Sequence, residues 1–253
     1  MLRQIARAWT GATVIAPWLT PTDRRAAAVR LARRTLRTLG VRVHSRGAPP
    51  ARGEPLLLVA NHVSWLDVYV LNALLEARFV AKAETETWPL VGSITRGFDA
   101  IFIVRGSFRD AARVRGVVAA ALGTGDRVVV FPEATTTDGG TLRRFHPALF
   151  QAAIDAGAPV LPVAIRYRRR DGSPAPEAAF IDDMTFAGSL ARILRADALH
   201  AELVFGTVLA SAGRTRRELA AIAREFVARA LRLPATAMEP EARGRPPRFK
   251  RAG

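Results

Sequence analysis

The chain has 253 residues, of which 49% are hydrophobic, so it can form one substantial core. The absence of cysteine excludes disulfide frameworks, thiolate zinc sites and cysteine nucleophiles. A formal net charge of +16, with all but two of the 38 basic residues being arginine, indicates polyanionic partners such as nucleic acid, anionic lipid or an acidic protein.

Residues 1–40 are predicted to form amphipathic helices that associate with a membrane. Arginines and a proline interrupt the first stretch, so we expect neither an ordinary transmembrane helix nor a signal peptide. Residues 22–39 open with a Thr-Asp cap and end before a glycine, as a helix does. This helix carries alanine and leucine near one face and arginine largely elsewhere. It suits either an anionic membrane surface or packing on the core with a solvated basic face.

From residue 41 onward, short β-rich runs alternate with helical stretches, which predicts an α/β fold with a mostly parallel central sheet flanked by helices. We assign residues 41–233 to this domain and residues 234–253, which are basic and rich in proline, to a disordered tail. The expected strands are 41–46, 55–60, 78–82, 100–104, 127–131, 159–166 and 201–208. The expected helices are 66–76, 109–122, 147–156 and 214–232.

One strand-loop-helix segment, LLLVANHVSWLDVYVL, carries the first candidate chemistry. Asn61 and His62 follow the strand, and Asp67 lies in the first turn of the next helix, at the sheet edge where ligands of open α/β folds collect. A carboxylate beside an imidazole fixes the tautomer and leaves the other nitrogen free to accept a proton. Asp67 equally suits a structural role at the helix start. Ser64 is a poor candidate nucleophile, because the chain has no G-x-S-x-G sequence.

Four blocks of this sequence, taken in order, resemble the signature blocks of the glycerolipid acyltransferases, the lysophosphatidic acid acyltransferase family. NHVSWLD fits the first block, N-H-x-x-x-x-D. AKAETETWPLVGSITRGFDAIFIVRG is similar to the second, VVVFPEATTTDGG to the third and APVLPVAIRY to the fourth. The resemblance runs from about residue 40 to 210 and implies a glycerolipid acyltransferase-like fold for the predicted domain.

The resemblance also implies a reaction, in which a fatty acyl group moves from acyl-CoA or acyl-carrier protein to the free hydroxyl of a lysolipid. His62 would be the general base and Asp67 would orient it, with no acyl-enzyme, no metal and no resident cofactor. The enzyme would work at the cytoplasmic face of the inner membrane, as a peripheral or monotopic protein. The residues expected to bind substrate are Asn61, Lys82, Arg105, Glu133, Thr135 and Thr136.

The third block departs from the family pattern F-P-E-G-T-R at two positions, where Ala134 replaces the glycine and Thr136 replaces the arginine. The family arginine is associated with the phosphate of the acceptor, and a hydroxyl cannot supply its charge-assisted hydrogen bonds. The threonine-rich block also resembles bacterial acyltransferases that complete ornithine lipids, whose head group has no phosphate. Either another basic residue (Lys82, Arg105, Arg143 or Arg144) supplies the missing charge, or the acceptor is not lysophosphatidate. From the resemblance as a whole we predict 1-acylglycerol-3-phosphate as the acceptor, giving phosphatidate, with lyso-ornithine lipid as the alternative.

Two other classes of protein stay in view at this point. A nucleic-acid-binding protein would explain the charge, but the chain has no recognisable reading element and few aromatic residues, so we expect no specific nucleic-acid partner. A hydrolase would use His62 to activate water. A metal enzyme is not expected, because the other three histidines, His44, His146 and His200, offer no paired spacing.

Overall fold

A computed structural model describes residues 20–47, 51, 53–83, 99–103, 108–234 and 237–239. The described residues form a seven-stranded sheet with helices on both faces, which confirms the predicted α/β fold. The strands are β1 Val41–Arg46, β2 Leu56–Ala60, β3 Arg78–Lys82, β4 Ile101–Ile103, β5 Arg127–Val130, β6 Val160–Arg168 and β7 Leu199–Phe205. The helices are α1 Pro21–Thr38, α2 Leu66–Leu74, α3 Phe108–Gly123, α4 Phe150–Asp155, α5 Phe186–Arg195 and α6 Arg216–Leu231.

The predicted elements match these bounds to within a few residues, with three differences. The helix expected over 147–156 opens as a 3-10 turn, Pro147–Leu149, and the α-helix begins at Phe150. Helix α5 was not predicted, although Thr185 caps it by accepting a hydrogen bond from the Gly188 N–H. Strand β7 begins and ends earlier than expected.

The sheet order is β1-β7-β6-β2-β5-β3-β4, and all neighbouring pairs are parallel except β6 and β7. Strand β2 lies at the centre, and all five of its residues are buried, which explains its continuous apolar sequence. Because β2 pairs in parallel with both β5 and β6, the loops after β2 and β5 leave the same edge of the sheet. This edge places the first and third sequence blocks side by side.

Each face of the sheet has its own hydrophobic core. Helices α1, α2 and α5 cover one face, and α3, α4 and α6 cover the other. The apolar residues of α1, including Ala32 and Leu36, are buried in the first core, and the Arg33 Nε donates to the Ala73 carbonyl of α2 at 2.8 Å. The apolar face of α1 is therefore packed inside the protein, and the arginines of this helix are what it offers to solvent.

The described residues include no helix that is long and apolar enough to cross a membrane. Residues 1–19 of the predicted N-terminal segment (1–40) and residues 240–253 of the predicted tail (234–253) lie outside the described residues. The membrane-associating N-terminus, the disordered tail and the division at residue 40 therefore stay predictions.

Candidate active site

The loop between β2 and α2 brings His62 and Asp67 together. Helix α2 begins at Leu66, so Asp67 lies in its first turn, as predicted. The Asp67 Oδ2 is 2.8 Å from the His62 Nδ1. The Asp67 side chain is fully buried, whereas the His62 side chain is 22% exposed. The carboxylate is thus shielded from water, while part of the imidazole is open to a substrate.

Asp67 is held by four hydrogen-bond donors. Its Oδ2 accepts the His62 Nδ1–H and also the backbone N–H groups of Val63, at 2.8 Å, and Ser64, at 3.0 Å. Its Oδ1 accepts the hydroxyl of Tyr167, from strand β6, at 2.6 Å. Four donors stabilise the charged carboxylate, and a charged Asp67 requires the proton of neutral His62 to sit on Nδ1. The Nε2 atom is then the basic nitrogen.

The third sequence block holds the backbone of His62 from the neighbouring strand end. The His62 N–H donates to the Glu133 Oε1 at 2.8 Å, and the His62 carbonyl accepts the Thr137 N–H at 2.8 Å. The second oxygen of Glu133 accepts the Arg143 N–H at 2.9 Å. Glu133 therefore joins the loop that carries His62 to the segment that follows the third block.

Glu133 is buried, with only 3% of its surface exposed. Burial raises the pKa of the Glu133 carboxyl to about 7, against the lowering effect of the N–H donors of Arg143 and His62. Its charge therefore changes close to neutral pH. Only the ionised form can accept both N–H groups without burying an unpaired O–H.

The structure shows the local situation of both departures from the family block. Ala134 has φ of 59°, a left-handed conformation that costs little for glycine and more for any other residue, which explains why the family pattern has glycine here. The Thr136 hydroxyl donates to the Phe180 carbonyl, and the Phe180 N–H donates to the Val63 carbonyl at 2.9 Å. Thr136 thus ties the third block to the segment lying over the first.

The His62 ring stacks on Phe131, the last residue before the third block turns, with ring centroids 4.0 Å apart and planes 14° apart. Phe131 packs in turn on Phe79 of β3. The imidazole is therefore fixed on one face by an aromatic ring and at Nδ1 by a carboxylate. Its Nε2 makes no hydrogen bond to any residue that the structure describes, so it is free to accept a proton from a bound hydroxyl.

The other predicted site residues lie in different situations. Asn61 is buried, and its side chain bonds both the N–H and the carbonyl of Ile165 in β6, so it anchors the loop. Thr135 is half-buried beside Ala134. The side chain of Lys82 and the whole of Arg105 lie outside the described residues, and their roles stay predictions.

Ser64 and Trp65 lie between His62 and Asp67 in sequence, and their side chains stabilise the fold around the site. The Ser64 hydroxyl is buried and accepts the Leu66 N–H at the start of α2, so it is not presented as a nucleophile. The Trp65 indole N–H donates to the buried Ser189 hydroxyl at 3.0 Å, and its ring packs on Phe186. Among the described residues no group of three or more histidine, aspartate or glutamate side chains is placed to hold a metal ion.

Tyr167 is the site residue that sequence reasoning missed. It closes the fourth block, APVLPVAIRY, but its hydroxyl reaches Asp67 only because β6 lies beside β2. A single polar atom at the end of an apolar strand was the available signal. Burial and the neighbouring Asp67 carboxylate raise the pKa of the Tyr167 hydroxyl well above its usual value, so it stays a donor.

The fold and this arrangement define a class, the α/β enzymes that carry an aspartate-held histidine at the carboxyl edge of a parallel sheet. The sequence matches the family model described as Acyltransferase over residues 40–166. It is 42% identical over 180 residues to the lyso-ornithine lipid O-acyltransferase of Pseudomonas aeruginosa, covering 70% of this chain and 68% of that protein. It is 38% identical over 162 residues to the 1-acyl-sn-glycerol-3-phosphate acyltransferase of Neisseria meningitidis serogroup B, covering 64% of each.

The fold is similar to that of the crystal structure of the 1-acyl-sn-glycerophosphate (LPA) acyltransferase PlsC from Thermotoga maritima. The TM-score is 0.64 at 21% identity, over 88% of this chain and 87% of that one. The chain spans about two thirds of the length of the two curated relatives. The family match and these relatives show that this chain belongs to the acyltransferase family, as the four sequence blocks predicted.

Proposed function

We propose that this acyltransferase is a lysolipid O-acyltransferase in which His62 is the general base. The observation that carries the proposal is the His62–Asp67–Tyr167 chain of hydrogen bonds, which leaves Nε2 as the basic nitrogen of a side chain that is 22% exposed at the carboxyl edge of the sheet. The names of the relatives support a lysolipid acceptor. A hydroxyl needs such a base, because it is a weak nucleophile while it keeps its proton.

The reaction proceeds in one transfer. As the acceptor oxygen attacks the thioester carbonyl, Nε2 takes the hydroxyl proton, and Asp67 stabilises the imidazolium that forms. The tetrahedral intermediate then expels the thiolate of the donor, which takes the proton back from Nε2. The products are an ester and a free thiol, and the imidazole returns to its neutral form. No resident cofactor takes part in this scheme, since acyl-CoA or acyl-carrier protein is a co-substrate.

The identity of the acceptor rests on the third block. The sequence pattern predicts 1-acylglycerol-3-phosphate as the first acceptor to test. One observation favours lyso-ornithine lipid: the Thr136 hydroxyl, which replaces the family arginine, already donates to the Phe180 carbonyl. It therefore has no second proton to donate to a phosphate, and a phosphate-free head group would need none there.

The proposed setting is a membrane surface, where lysolipid and acyl donor meet. The arginine-bearing side of α1 supports this setting, because its apolar side is packed in the core while residues such as Arg34 and Arg37 are exposed. Residues 1–19 add further apolar and basic side chains to the same end of the chain. The cytoplasmic leaflet is the side on which both acyl donors would be found.

The test is acyl transfer from labelled acyl-CoA in detergent micelles, with lysophosphatidate, lyso-ornithine lipid or no acceptor. We expect transfer to at least one lysolipid and little release of free acid without acceptor. Transfer to lyso-ornithine lipid alone would assign the phosphate-free acceptor. Transfer to lysophosphatidate alone would show that another basic residue replaces the family arginine. Equal acyl release with and without acceptor would replace the transferase with a hydrolase.

A further inference from the structure

Arg224 is a buried arginine of α6, far in sequence from the proposed active site. It is 7% exposed, on a helix whose buried residues face the second core. It donates to three backbone carbonyls: the Nε to that of Arg143 at 3.1 Å, and the Nη2 to those of Leu142, at 3.4 Å, and Glu239. A buried guanidinium is stable only while its donors are paired, so these three carbonyls hold the arginine and the arginine holds them.

The carbonyls that Arg224 binds include those of a segment that follows the third sequence block. From the same segment, the Arg143 N–H donates to the Glu133 Oε2 at 2.9 Å, and the Glu133 Oε1 accepts the His62 N–H at 2.8 Å. Three hydrogen bonds therefore connect the guanidinium of Arg224, through Arg143 and Glu133, to the backbone of the proposed general base.

Residues 237–239, near the end of the chain, pack against this segment as well. The Leu142 N–H donates to the Ala237 carbonyl at 2.9 Å, and the Glu239 N–H donates to the Leu142 carbonyl at 3.0 Å, which makes a short parallel β-bridge. Arg224 fastens the bridge, because its Nη2 donates to the carbonyls of Leu142 and Glu239 together. Helix α6 and residues 237–239 thus hold one and the same piece of backbone.

The consequence is a fixed peptide unit at Arg143. Both backbone groups of Leu142 bond residues 237–239, and the Arg143 carbonyl is held by a cation, so the direction of the Arg143 N–H toward Glu133 is set. A fixed N–H donor favours the ionised form of a carboxyl group. Only the ionised Glu133 accepts this N–H and that of His62 together, so the fixed peptide also supports the loop of His62.

We propose that Arg224 and residues 237–239 are positioning elements of the transfer reaction, which act on His62 through Arg143 and Glu133. This proposal rests on the proposed function, because it assigns the residues that hold the general base of that reaction in place. Arg224 acts through the backbone and does not touch the reacting groups. The catalytic unit then extends beyond residue 233, the predicted end of the domain, and includes residues 237–239.

The alternative is an arginine that only fastens the end of the chain to α6. Such an arginine would contribute to the free energy of unfolding and leave the ionisation of Glu133 alone. A positioning arginine changes both, because its loss removes a donor from the Glu133 carboxylate. The charged groups that act on Glu133 are the Asp67 carboxylate, which raises its pKa, and the Arg143 guanidinium, which lowers it. Both stay in place when Arg224 is replaced.

The test compares Arg224→Met with the matched control Arg127→Met in the full-length protein. Arg127 is 6% exposed and also donates to backbone carbonyls, those of Glu54 and Ala51. It is the first residue of β5, so it lies at the amino-terminal edge of the sheet, opposite the edge that carries the proposed site. Both substitutions remove a buried guanidinium, and only one of them removes a link to Glu133.

Glu239→Pro is a second variant that leaves Arg224 in place. It removes the N–H that donates to the Leu142 carbonyl and the carboxylate that accepts the Arg144 N–H at 3.3 Å. Glu239 is exposed, so this variant tests the proposal even if Arg224→Met does not fold.

Two properties are measured for each protein. The first is kcat and KM for acyl transfer from about pH 6 to about pH 9. The second is the pKa of the Glu133 carboxyl, followed by carbon-13 NMR of labelled glutamate, with Glu133→Gln to identify the signal. Thermal unfolding midpoints are recorded for all variants.

We expect Arg224→Met to raise the pKa of Glu133 by about one pH unit from its value of about 7. The ionised fraction at about pH 7 then falls about fivefold, and kcat should fall by about that factor. By about pH 9 kcat should be within about twofold of wild type, and KM for donor and acceptor should stay near wild type throughout. Glu239→Pro should shift the pKa in the same direction. Arg127→Met should lower the unfolding midpoint and keep the wild-type pH profile.

The proposal is overturned if the Glu133 titration is unchanged in Arg224→Met, or in Glu239→Pro where Arg224→Met does not fold. It is also overturned if Arg127→Met loses kcat with the same pH dependence as Arg224→Met. A wild type that acylates no lysolipid, while both variants still raise the pKa of Glu133, would refute the proposed function and leave the link from Arg224 to the His62 loop standing.

Discussion

Replacing Tyr167 by phenylalanine tests whether the buried end of the hydrogen-bond chain matters to catalysis. The change removes one hydroxyl that donates to the Asp67 Oδ1 at 2.6 Å and leaves the ring in place. Tyr167 is 6% exposed and Asp67 is fully buried, so water cannot easily replace the lost donor. A hydrogen bond to a charged group contributes about 1.5–3 kcal/mol. We expect the free energy of unfolding to fall by about that amount at neutral pH.

The catalytic consequence of Tyr167→Phe has a ceiling set by the same energy. One factor of ten in rate corresponds to about 1.4 kcal/mol, so kcat should fall by about tenfold and by no more than about a hundredfold. KM for both substrates should stay near wild type, because Tyr167 touches Asp67 and not the substrate. The assay is denaturant unfolding together with steady-state acyl transfer.

Ser189→Ala is the matched control for Tyr167→Phe. It also removes a buried hydroxyl, the one that accepts the Trp65 indole N–H, but it has no bond to Asp67. It should lower stability by about 1 kcal/mol and leave kcat near wild type. The positioning role of Tyr167 would be refuted if Tyr167→Phe kept full kcat, or if it lost kcat only to the extent that Ser189→Ala does.

Three further predictions concern the third block. The folded-state pKa of Glu133, about 7, lies above its ordinary value of 4.5, so protonation of Glu133 favours the folded state. This contribution to the free energy of unfolding is fully present below pH 4.5 and is lost as pH rises through 7. The free energy of unfolding should fall by up to about 3 kcal/mol from about pH 5 to about pH 8, and Glu133→Gln should abolish this component; identical pH dependence in the two proteins would contradict it. Ala134→Gly should raise the free energy of unfolding by about 0.5–1 kcal/mol by relieving the left-handed backbone, while Ala119→Gly within α3 should lower it by about 1 kcal/mol; a loss at both positions would be the opposing result. Thr136→Val should cost about 0.5–1.5 kcal/mol of stability by removing the bond to the Phe180 carbonyl, with acceptor KM unchanged, and a large rise in KM would show that the hydroxyl contacts the acceptor.

The sequence predicted what depends on local spacing. His62 and Asp67 are five residues apart across a strand-loop-helix junction, so their contact follows from local structure. The apolar run of β2 likewise predicted a strand, which the structure buries at the centre of the sheet. The mostly parallel sheet followed from the alternation of strands and helices.

What the sequence did not predict depends on which strands become neighbours. Tyr167 reaches Asp67 across 100 residues, and Thr136 reaches Phe180 across 44, so neither bond has a local pattern. The antiparallel pairing of β6 with β7 has the same origin. Asn61 is also affected by a neighbouring strand. Its place beside His62 in sequence suggested a substrate contact, but its side-chain amide bonds the backbone of Ile165 in β6.

The most direct test of the proposed mechanism is the transfer rate of His62→Ala, measured with labelled acyl-CoA and the best lysolipid acceptor. His44→Ala, the same change on an exposed strand, is the control. General-base catalysis predicts that kcat of His62→Ala falls by about 10²–10⁴ with an unchanged unfolding midpoint, while His44→Ala keeps wild-type kcat. A His62→Ala protein that transfers the acyl group at the wild-type rate would contradict the mechanism.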